Sequence, residues 1–208
     1  MSNRFGQAYG LTCLSPILND VDEKGVARDI ALRAVLRSFN EAAESPFASV
    51  PTTHLARWTI IDEAPFESVP ARVDHFRSKY LLFTSNFDGG SNGDDVALMN
   101  YVTSLCANIP MLLESVYRHC VGTPNVRDPE AFLAYIKQCQ VTTTFLFGAY
   151  ADANVDQVLR GLLAQRQVGD FIADQQDARP SPAELQQRFI SLADSLASAP
   201  TPRPGTYL

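Results

Sequence analysis

The sequence has few of the features that would assign it to a membrane or to nucleic acid. No apolar run approaches the ~18 residues that a membrane-spanning helix needs, and residues 1–6 lack the apolar core of a signal peptide. Acidic residues outnumber basic ones by 23 to 17, and the arginines are scattered, so a clustered basic surface is not expected. The sequence therefore predicts a cytoplasmic protein without a membrane span and without a nucleic-acid partner.

Several motifs of metal and phosphate sites are also missing. The four cysteines form no CxxC pair and the three histidines are isolated, so no zinc site with standard spacing is expected. Such cysteines are most simply buried thiols that act as small hydrophobic side chains. The run Gly89–Gly93 lacks the lysine of a P-loop, and no Gly-x-Ser-x-Gly segment occurs. We therefore expect no metal site and no nucleotide-binding loop.

The residues that are present predict alternating strands and helices. Hydrophobic residues make up 46% of the 208 residues and charged residues 19%, which is enough for one domain with an extension. Apolar spacing and β-branched residues favour strands, and the predicted strands are 8–17, 54–62, 79–90 (ending in an Asn-Phe-Asp-Gly-Gly turn) and 141–150. Spacings of three and four, with caps and prolines, predict helices at 25–44, 95–107, 110–119 and 129–138, then one after 154 and one after 181. The segment 63–78 is predicted to be a loop.

This order predicts an α+β fold of the ferredoxin-like, split βαβ kind, with helices on one face of a four-stranded antiparallel sheet. The predicted domain covers residues 1–150, a helical extension covers 151–198, and the proline-rich segment 199–208 is an extended tail, either flexible or laid on a partner. The strands carry apolar residues on both faces, so the second face must be covered. A second copy of the chain, a ligand or the extra helices could cover it.

Two segments carry a resemblance to a known family. The strand His54-Leu-Ala-Arg-Trp58 and the later Ser85-Asn-Phe-Asp-Gly89 turn resemble the dimeric α+β barrel superfamily, and within it one half of the DyP-type peroxidases, over roughly residues 8–150. The turn is similar to their glycine-x-x-aspartate-glycine motif, with Ser85 in place of the first glycine. The resemblance implies a homodimer, haem as cofactor, and Asp88 as the distal acid or base that assists peroxide cleavage.

The candidate site residues follow from these segments. Asp88 is either a general acid or base at a cavity mouth or a turn residue at a strand end. His54 and Arg57 could polarise a peroxide or bind a carboxylate, or they could be a strand-start residue and one half of an ion pair. Strand alternation places His54 and Trp58 on one face and Arg57 on the other.

The cofactor contacts are predicted from the resemblance and from ligand chemistry. His119, beside Cys120, could be an axial haem ligand, or it could simply suit the end of a helix. Trp58 and Phe87 would contact the haem beside it. No proximal ligand can be mapped from the family's motif, because in the peroxidases it comes from a second half that this chain lacks.

Three functions are consistent with the sequence. The first is a peroxidase-like oxidoreductase, or haem-associated protein, that uses a cavity on the sheet face. The second is a non-catalytic α+β barrel module that binds a small apolar ligand or serves as an assembly partner. The third is a cofactor-free, monooxygenase-like enzyme that uses the same cavity.

Overall fold

The computed structural model describes residues 3–66, 69–70, 72–91, 93–150 and 152–205. The chain divides into two compact units, Met1–Asn154 and Val155–Leu208. The strands of the first unit are β1 (Arg4–Phe5), β2 (Ala8–Pro16), β3 (Thr53–Phe66) and β4 (Arg72–Asp88). Its helices are α1 (Arg28–Asn40), α2 (Asp94–Asn108), α3 (Pro110–Tyr117) and α4 (Pro129–Cys139), with a short 3-10 turn at Pro46–Ser49. The second unit contains α5 (Val155–Ala178) and α6 (Pro182–Ser198).

The strands form one antiparallel sheet in the order β1-β2-β4-β3. Strand β2 pairs with β4 from Pro16 opposite Tyr80 to Ala8 opposite Asp88. Strand β3 pairs with the other edge of β4 along its whole length. The predicted α+β class and the four-stranded antiparallel sheet are therefore confirmed.

The predicted fourth strand, 141–150, is wrong. Only its first residue joins the sheet, through a hydrogen bond from Val141 N to Thr12 O of 2.8 Å. The chain then leaves the sheet, because the Thr143 amide binds the Asn3 side chain and Phe147 packs against Phe5. The edge of β2 near Tyr9 is instead paired with β1, whose two residues are too few for a periodic pattern to reveal.

The predicted loop at 63–78 is also wrong over much of its length. In the described part of this segment, strands β3 and β4 continue as a two-stranded ribbon that pairs Glu63 with His75 and Phe66 with Arg72. Residues 67, 68 and 71 of the predicted loop lie outside the described residues. We call the residues 63–66 and 72–75 the hairpin arm. Backbone pairing in the arm needs no apolar alternation, so polar and proline-containing sequence there does not exclude strands.

The core lies between one face of the sheet and the helices of the first unit. Along β4, burial alternates strictly, with Leu81, Phe83, Ser85 and Phe87 almost fully buried. Helix residues meet this inner face, and the fully buried ones include Leu32, Val102, Val116 and Phe132. Burying such side chains stabilises the fold by roughly 1.5–3 kcal/mol each.

The opposite face of the sheet, the outer face, remains partly open. Leu82, Thr84, Asn86 and Asp88 of β4 alternate with the buried set and are half-buried. On β3, Leu55 is 68% exposed. Leu146 covers part of the outer face near Gly10. A Cβ added to Gly10 would lie only 3.0–3.1 Å from the methyl carbons of Leu146.

The helix boundaries agree with the local signals in the sequence. Helices α2 and α3 are separated at Ile109, directly before Pro110, as predicted. Asp128 caps α4 by accepting hydrogen bonds from the Glu130 and Ala131 amides, and Pro129 follows it, as predicted. Ser181 and Glu184 form a capping box at the start of α6.

In the second unit, α5 and α6 form an antiparallel pair. Phe171 meets Phe189 with ring centroids 6.0 Å apart, and Arg188 Nη1 donates to Gln175 Oε1 at 2.8 Å. The segment after α6 returns along α5, where Thr201 binds the Asp156 carboxylate and Ala199 O accepts a hydrogen bond from Arg160. The described part of the tail, residues 199–205, therefore contacts a helix of its own chain, and the extended conformation of the whole segment 199–208 stays a prediction.

Across the described residues, no single helix combines the length and the hydropathy of a membrane span. Only α2 and α3 taken together meet that standard, and they are bent by 97° at their break.

Candidate functional site

Two of the predicted catalytic residues meet at one end of the sheet. His54 Nε2 lies 2.7 Å from Asp88 Oδ1, with side-chain exposures of 22% and 17%. The Asp88 amide also donates to Thr52 O at 2.9 Å, which fixes the backbone beneath the carboxylate. A histidine and a carboxylate at this distance form an acid–base pair that water and small molecules can reach.

An irregularity in β3 brings this pair together. The register with β4 shifts between Thr53 and Leu55, so two successive residues of β3 face nearly the same point of β4. Thr53 points towards the helices, where its hydroxyl lies 3.2 Å from Tyr101 Oη. His54 instead reaches Asp88, which alternates with the outer-face residues of β4. The predicted shared face of His54 and Trp58 is therefore wrong, because the bulge interrupts the alternation.

A groove lies on the sheet directly beside the pair. It has a volume of about 530 Å³ and is lined by residues of β3 and β4, namely Leu55, Ala56, Arg57, Thr84, Ser85 and Asn86. Leu55 follows His54 in the chain, and Asn86 precedes Asp88 by two residues on the same face. The groove therefore runs along the outer face away from the acid–base pair.

Arg57 is the charged residue of this groove. It is exposed and lies opposite Thr84 in the sheet. No carboxylate forms an ion pair with Arg57 among the residues that the structure describes. A guanidinium on an open groove is a suitable donor for a carboxylate or another anion. The structure thus gathers His54, Arg57 and Asp88 on the outer face.

The two glycines after Asp88 have structural roles. A Cβ on Gly89 would lie 3.0 Å from the Arg4 guanidinium and 3.3 Å from Gln7 O, so only glycine fits there without movement. Gly90 has a φ of +62°, a conformation that other L-residues adopt at a cost of roughly 1–2 kcal/mol. Its carbonyl accepts a hydrogen bond from Arg4. The Asp-Gly-Gly sequence thus shapes the turn, whatever the role of the aspartate.

Two predicted cofactor contacts lie in the core. Phe87 is fully buried and stacks on Tyr101, with ring centroids 3.8 Å apart. Trp58 packs against Phe47 and Phe83 at centroid distances of 5.2 Å each. Neither ring lines the groove, so neither could contact a group bound there.

The third predicted cofactor contact, His119, lies at the other end of β2. It is fully buried, and its carbonyl accepts a hydrogen bond from Leu18 N, just beyond that strand. Asp88 pairs with Ala8 at the start of the same strand. A strand of this length spans about 30 Å. His119 and Asp88 of one chain therefore cannot hold opposite sides of one haem.

The environment of His119 is also unlike that of an axial ligand. Burial lowers its pKa from the ordinary value of 6.5, and the nearby cations Arg118 and Arg28 lower it further. Arg118 Nε donates to His119 Nε2 at 3.4 Å, while Nδ1 is buried without a hydrogen-bond partner. This histidine is a neutral core residue that is sealed from ligands.

The thiols are equally unsuited to hold a metal. Cys13, Cys106 and Cys120 are buried, as predicted, and Cys139 is half-buried. Burial raises the pKa of Cys106 to about 11 and that of Cys120 to about 12, so both remain protonated at neutral pH. Within the described ranges, no group of three or more histidine, cysteine or acidic side chains could hold a metal ion.

The donor set of the groove does not fit haem as the resemblance implied. An axial ligand is expected to be histidine, cysteine, methionine or tyrosine. The groove itself offers leucine, alanine, arginine, threonine, serine and asparagine. The nearest histidine, His54, is held by Asp88.

Sequence reasoning missed Thr84 and Asn86 as groove residues. Thr84 is four positions and Asn86 two positions from Asp88, so strand alternation alone could have placed them on its face. The bulge at His54 has no comparable signal, because it depends on how two distant segments align.

Comparison of the chain with protein-family models, with curated proteins and with solved structures finds no match.

Proposed function

We propose that the outer face of the sheet is an acid–base site for a small molecule that carries an anionic group. The observation that carries this proposal is the 2.7 Å contact between His54 and Asp88 at the end of a groove of about 530 Å³. Of the three functions that the sequence allows, the groove best supports the cofactor-free enzyme. The groove supplies a cation, Arg57, and the neighbouring pair supplies a base, His54, and a carboxylate, Asp88.

The chemistry follows from the atoms in contact. The Asp88 carboxylate accepts the hydrogen on His54 Nε2, which leaves the lone pair of Nδ1 to take a proton from a substrate. Asp88 also stabilises the imidazolium that forms. Arg57 would hold a carboxylate or an oxyanion of the substrate by charge-assisted hydrogen bonds. The proposed reaction class is therefore proton abstraction from a bound anion or phenol.

A second copy of the chain would complete this site. The order β2-β4-β3 supports the ferredoxin-like plan, in which one sheet face carries helices and the other is free to pair. Leu55 is 68% exposed at the edge of the groove, where a second sheet would bury it. In a dimeric barrel of this kind, the partner's sheet would form the opposite wall and exclude water from the groove.

The binding part of the proposal is tested with matched ligands. A set of small aromatic carboxylates and their neutral amides is titrated into the full chain, and affinity is measured by calorimetry. We expect the carboxylates to bind more tightly, and Arg57→Gln to weaken them by about tenfold to one hundredfold, the worth of a charge-assisted hydrogen bond. Arg37→Gln, an exposed arginine on α1, is the control and should leave binding unchanged.

The catalytic part is tested separately. Proton abstraction is followed by NMR as exchange of deuterium into any bound carboxylate that carries a C–H bond next to a carbonyl group. His54→Gln should slow exchange by roughly 10²–10⁴-fold while binding is retained. Carboxylate binding with no exchange in the wild-type protein would instead support the non-catalytic binding module.

The haem-dependent alternative is favoured by one observation, the half-buried position of Asp88 at the groove. Haem would supply peroxide chemistry if it bound. The decisive measurement is the absorbance spectrum during a haem titration. We expect no Soret band characteristic of ligated iron, because the groove lacks an axial donor. A ligated Soret band that His54→Gln abolishes would replace the cofactor-free proposal.

A further inference from the structure

The helix pair α5–α6 of the second unit leaves an apolar groove uncovered. The groove has a volume of about 580 Å³, and its apolar lining consists of Phe171, Ile172, Pro182, Leu185 and Phe189. Of these side chains, Ile172 and Phe189 are 51% exposed and Leu185 is 40% exposed. Its lining shares no residue with the groove of the proposed site.

The pair of helices has almost no core of its own. No residue of α6 is buried, and in α5 only Val155 is, across the residues described for these helices. The sequence nevertheless specifies α6 firmly, through its capping box and through Pro182 at its first turn. A two-helix hairpin cannot bury its apolar stripe alone, and helical stability in water comes mainly from packing of that stripe. The stripe therefore requires a surface to pack against.

The chemistry of the groove suits a second copy of itself. The remaining lining residues are Gln175, Gln176 and Gln186, so no charged side chain lines the groove in the described part of the chain. The nearby charge of Arg188 lies outside the lining, where its guanidinium donates to Gln175, so two grooves can bring their uncharged linings into contact. The glutamine side chains carry both donors and acceptors, so they can pair with their own copies at the rim.

The area also suits a dimer. Helices of 24 and 17 residues are about 36 Å and 25 Å long, and each is about 10 Å wide. A contact that extended from the groove along the whole length of both helices would cover roughly 600 Å² on each copy, or roughly 1,200 Å² for two copies. That total reaches the lower end of the range for specific protein interfaces.

We propose that α5–α6 hairpins of two chains pack groove to groove as a four-helix bundle, which makes the second unit a homodimerisation element. Four antiparallel or crossed helices would bury Phe171, Leu185 and Phe189 from both copies in one core. This contact uses different residues from the sheet face, so the two surfaces can be tested with separate variants.

The experiment is sedimentation velocity on the full chain over a range of concentrations. The wild-type protein should sediment as a dimer or an even multiple, and Phe189→Glu should halve its mass. Leu185→Gln, a milder change in the same groove, should weaken the association in the same direction. The association should persist in about 1 M NaCl, because the lining is uncharged.

The matched control is Ile190→Glu. Ile190 is next to Phe189 and equally exposed, at 51%, but does not line the groove. Its substitution should leave the mass unchanged, and circular dichroism should show equal helicity in both variants. A monomeric wild-type chain, or a Phe189→Glu variant that keeps the wild-type mass with its helicity intact, would overturn the proposal. Neither result bears on ligand binding by Arg57, so the two proposals fail separately.

Discussion

At the scale of residues, the two histidines singled out by the sequence have opposite environments. His54 is partly open, and its ring is held by a carboxylate. His119 is sealed in the core beside the guanidinium of Arg118. A ligand could reach His54, whereas His119 is enclosed and can affect only the pH dependence of stability. The difference arises from where each strand or helix ends relative to the sheet.

The buried position of His119 predicts acid sensitivity. Its pKa is lowered in the folded state, so the unfolded chain binds a proton near pH 6.5 while the folded chain does so only at lower pH. Between these values the unfolded state holds more protons, and the free energy of unfolding must fall as pH decreases below 6.5. Urea unfolding at pH 8 and pH 5 measures this loss.

The matched variants are His119→Phe and His75→Phe. His119→Phe removes the titrating group from the core with little change of shape, so it should lose less stability between pH 8 and pH 5 than the wild type. His75 is exposed in the hairpin arm, and its replacement should retain the wild-type pH dependence. An unchanged pH dependence in His119→Phe would contradict the assignment.

At the scale of elements, β4 is a strand with two environments. From Tyr80 to Asp88 it is paired on both edges, by β2 and by β3. From Arg72 to His75 it pairs with β3 alone. An isolated two-stranded ribbon is marginal in water, while a three-stranded segment with a buried face is stable. The two ends of β4 are therefore expected to differ strongly in local stability, with Arg72 to His75 the less stable part.

Hydrogen exchange should detect this difference within one strand. The amides of Asp74 and His75 should exchange with a local opening free energy well below that of the whole domain, since only the arm must separate. The amides of Leu81 and Phe83 should exchange at rates close to the limit set by global unfolding. Equal protection along β4, measured by NMR on the full chain, would mean that something else stabilises the arm.

At the scale of the whole molecule, each unit has an incompletely covered apolar surface on which a proposal rests. The first unit has the outer face of its sheet, and the second has the groove between its helices. Leu55 and Phe189 are the exposed apolar side chains that mark them, at 68% and 51%. Homodimerisation was predicted from the sequence through the sheet, and it remains a proposal there.

The sheet contact predicts an effect of Leu55→Glu. A carboxylate buried in a packed sheet interface would be desolvated without a partner, so the variant should halve the mass of the assembly. Met111→Glu changes an equally exposed apolar residue, 75% accessible on α3, and should leave the mass unchanged. Light scattering of the two variants beside the wild type measures the outcome. If Leu55→Glu keeps the full mass, the proposed sheet interface is contradicted. That result would not affect the helix-pair proposal, which the Phe189→Glu variant tests.

Local signals in the sequence determined much of the secondary structure. The cap at Asp128, the break at Pro110 and the alternation from Leu81 to Phe87 each depend on neighbouring residues, and each is confirmed. The segment 141–150 shows where this reasoning fails. Its β-branched and aromatic residues favour a strand, but the adjacent edge of β2 is partly paired with β1, and contacts with Asn3 and Phe5 direct the chain elsewhere.

By itself, then, the sequence determined the α+β class, the inner face of β4 and the turn after Asp88, because period, caps and glycines act over a few residues. Only the tertiary structure decided that His54 meets Asp88 and that His119 lies at the opposite end of β2 from that pair. Both facts depend on register between segments far apart in the chain. A shift of one residue in β3 reverses which face a side chain occupies, and no local pattern encodes such a shift.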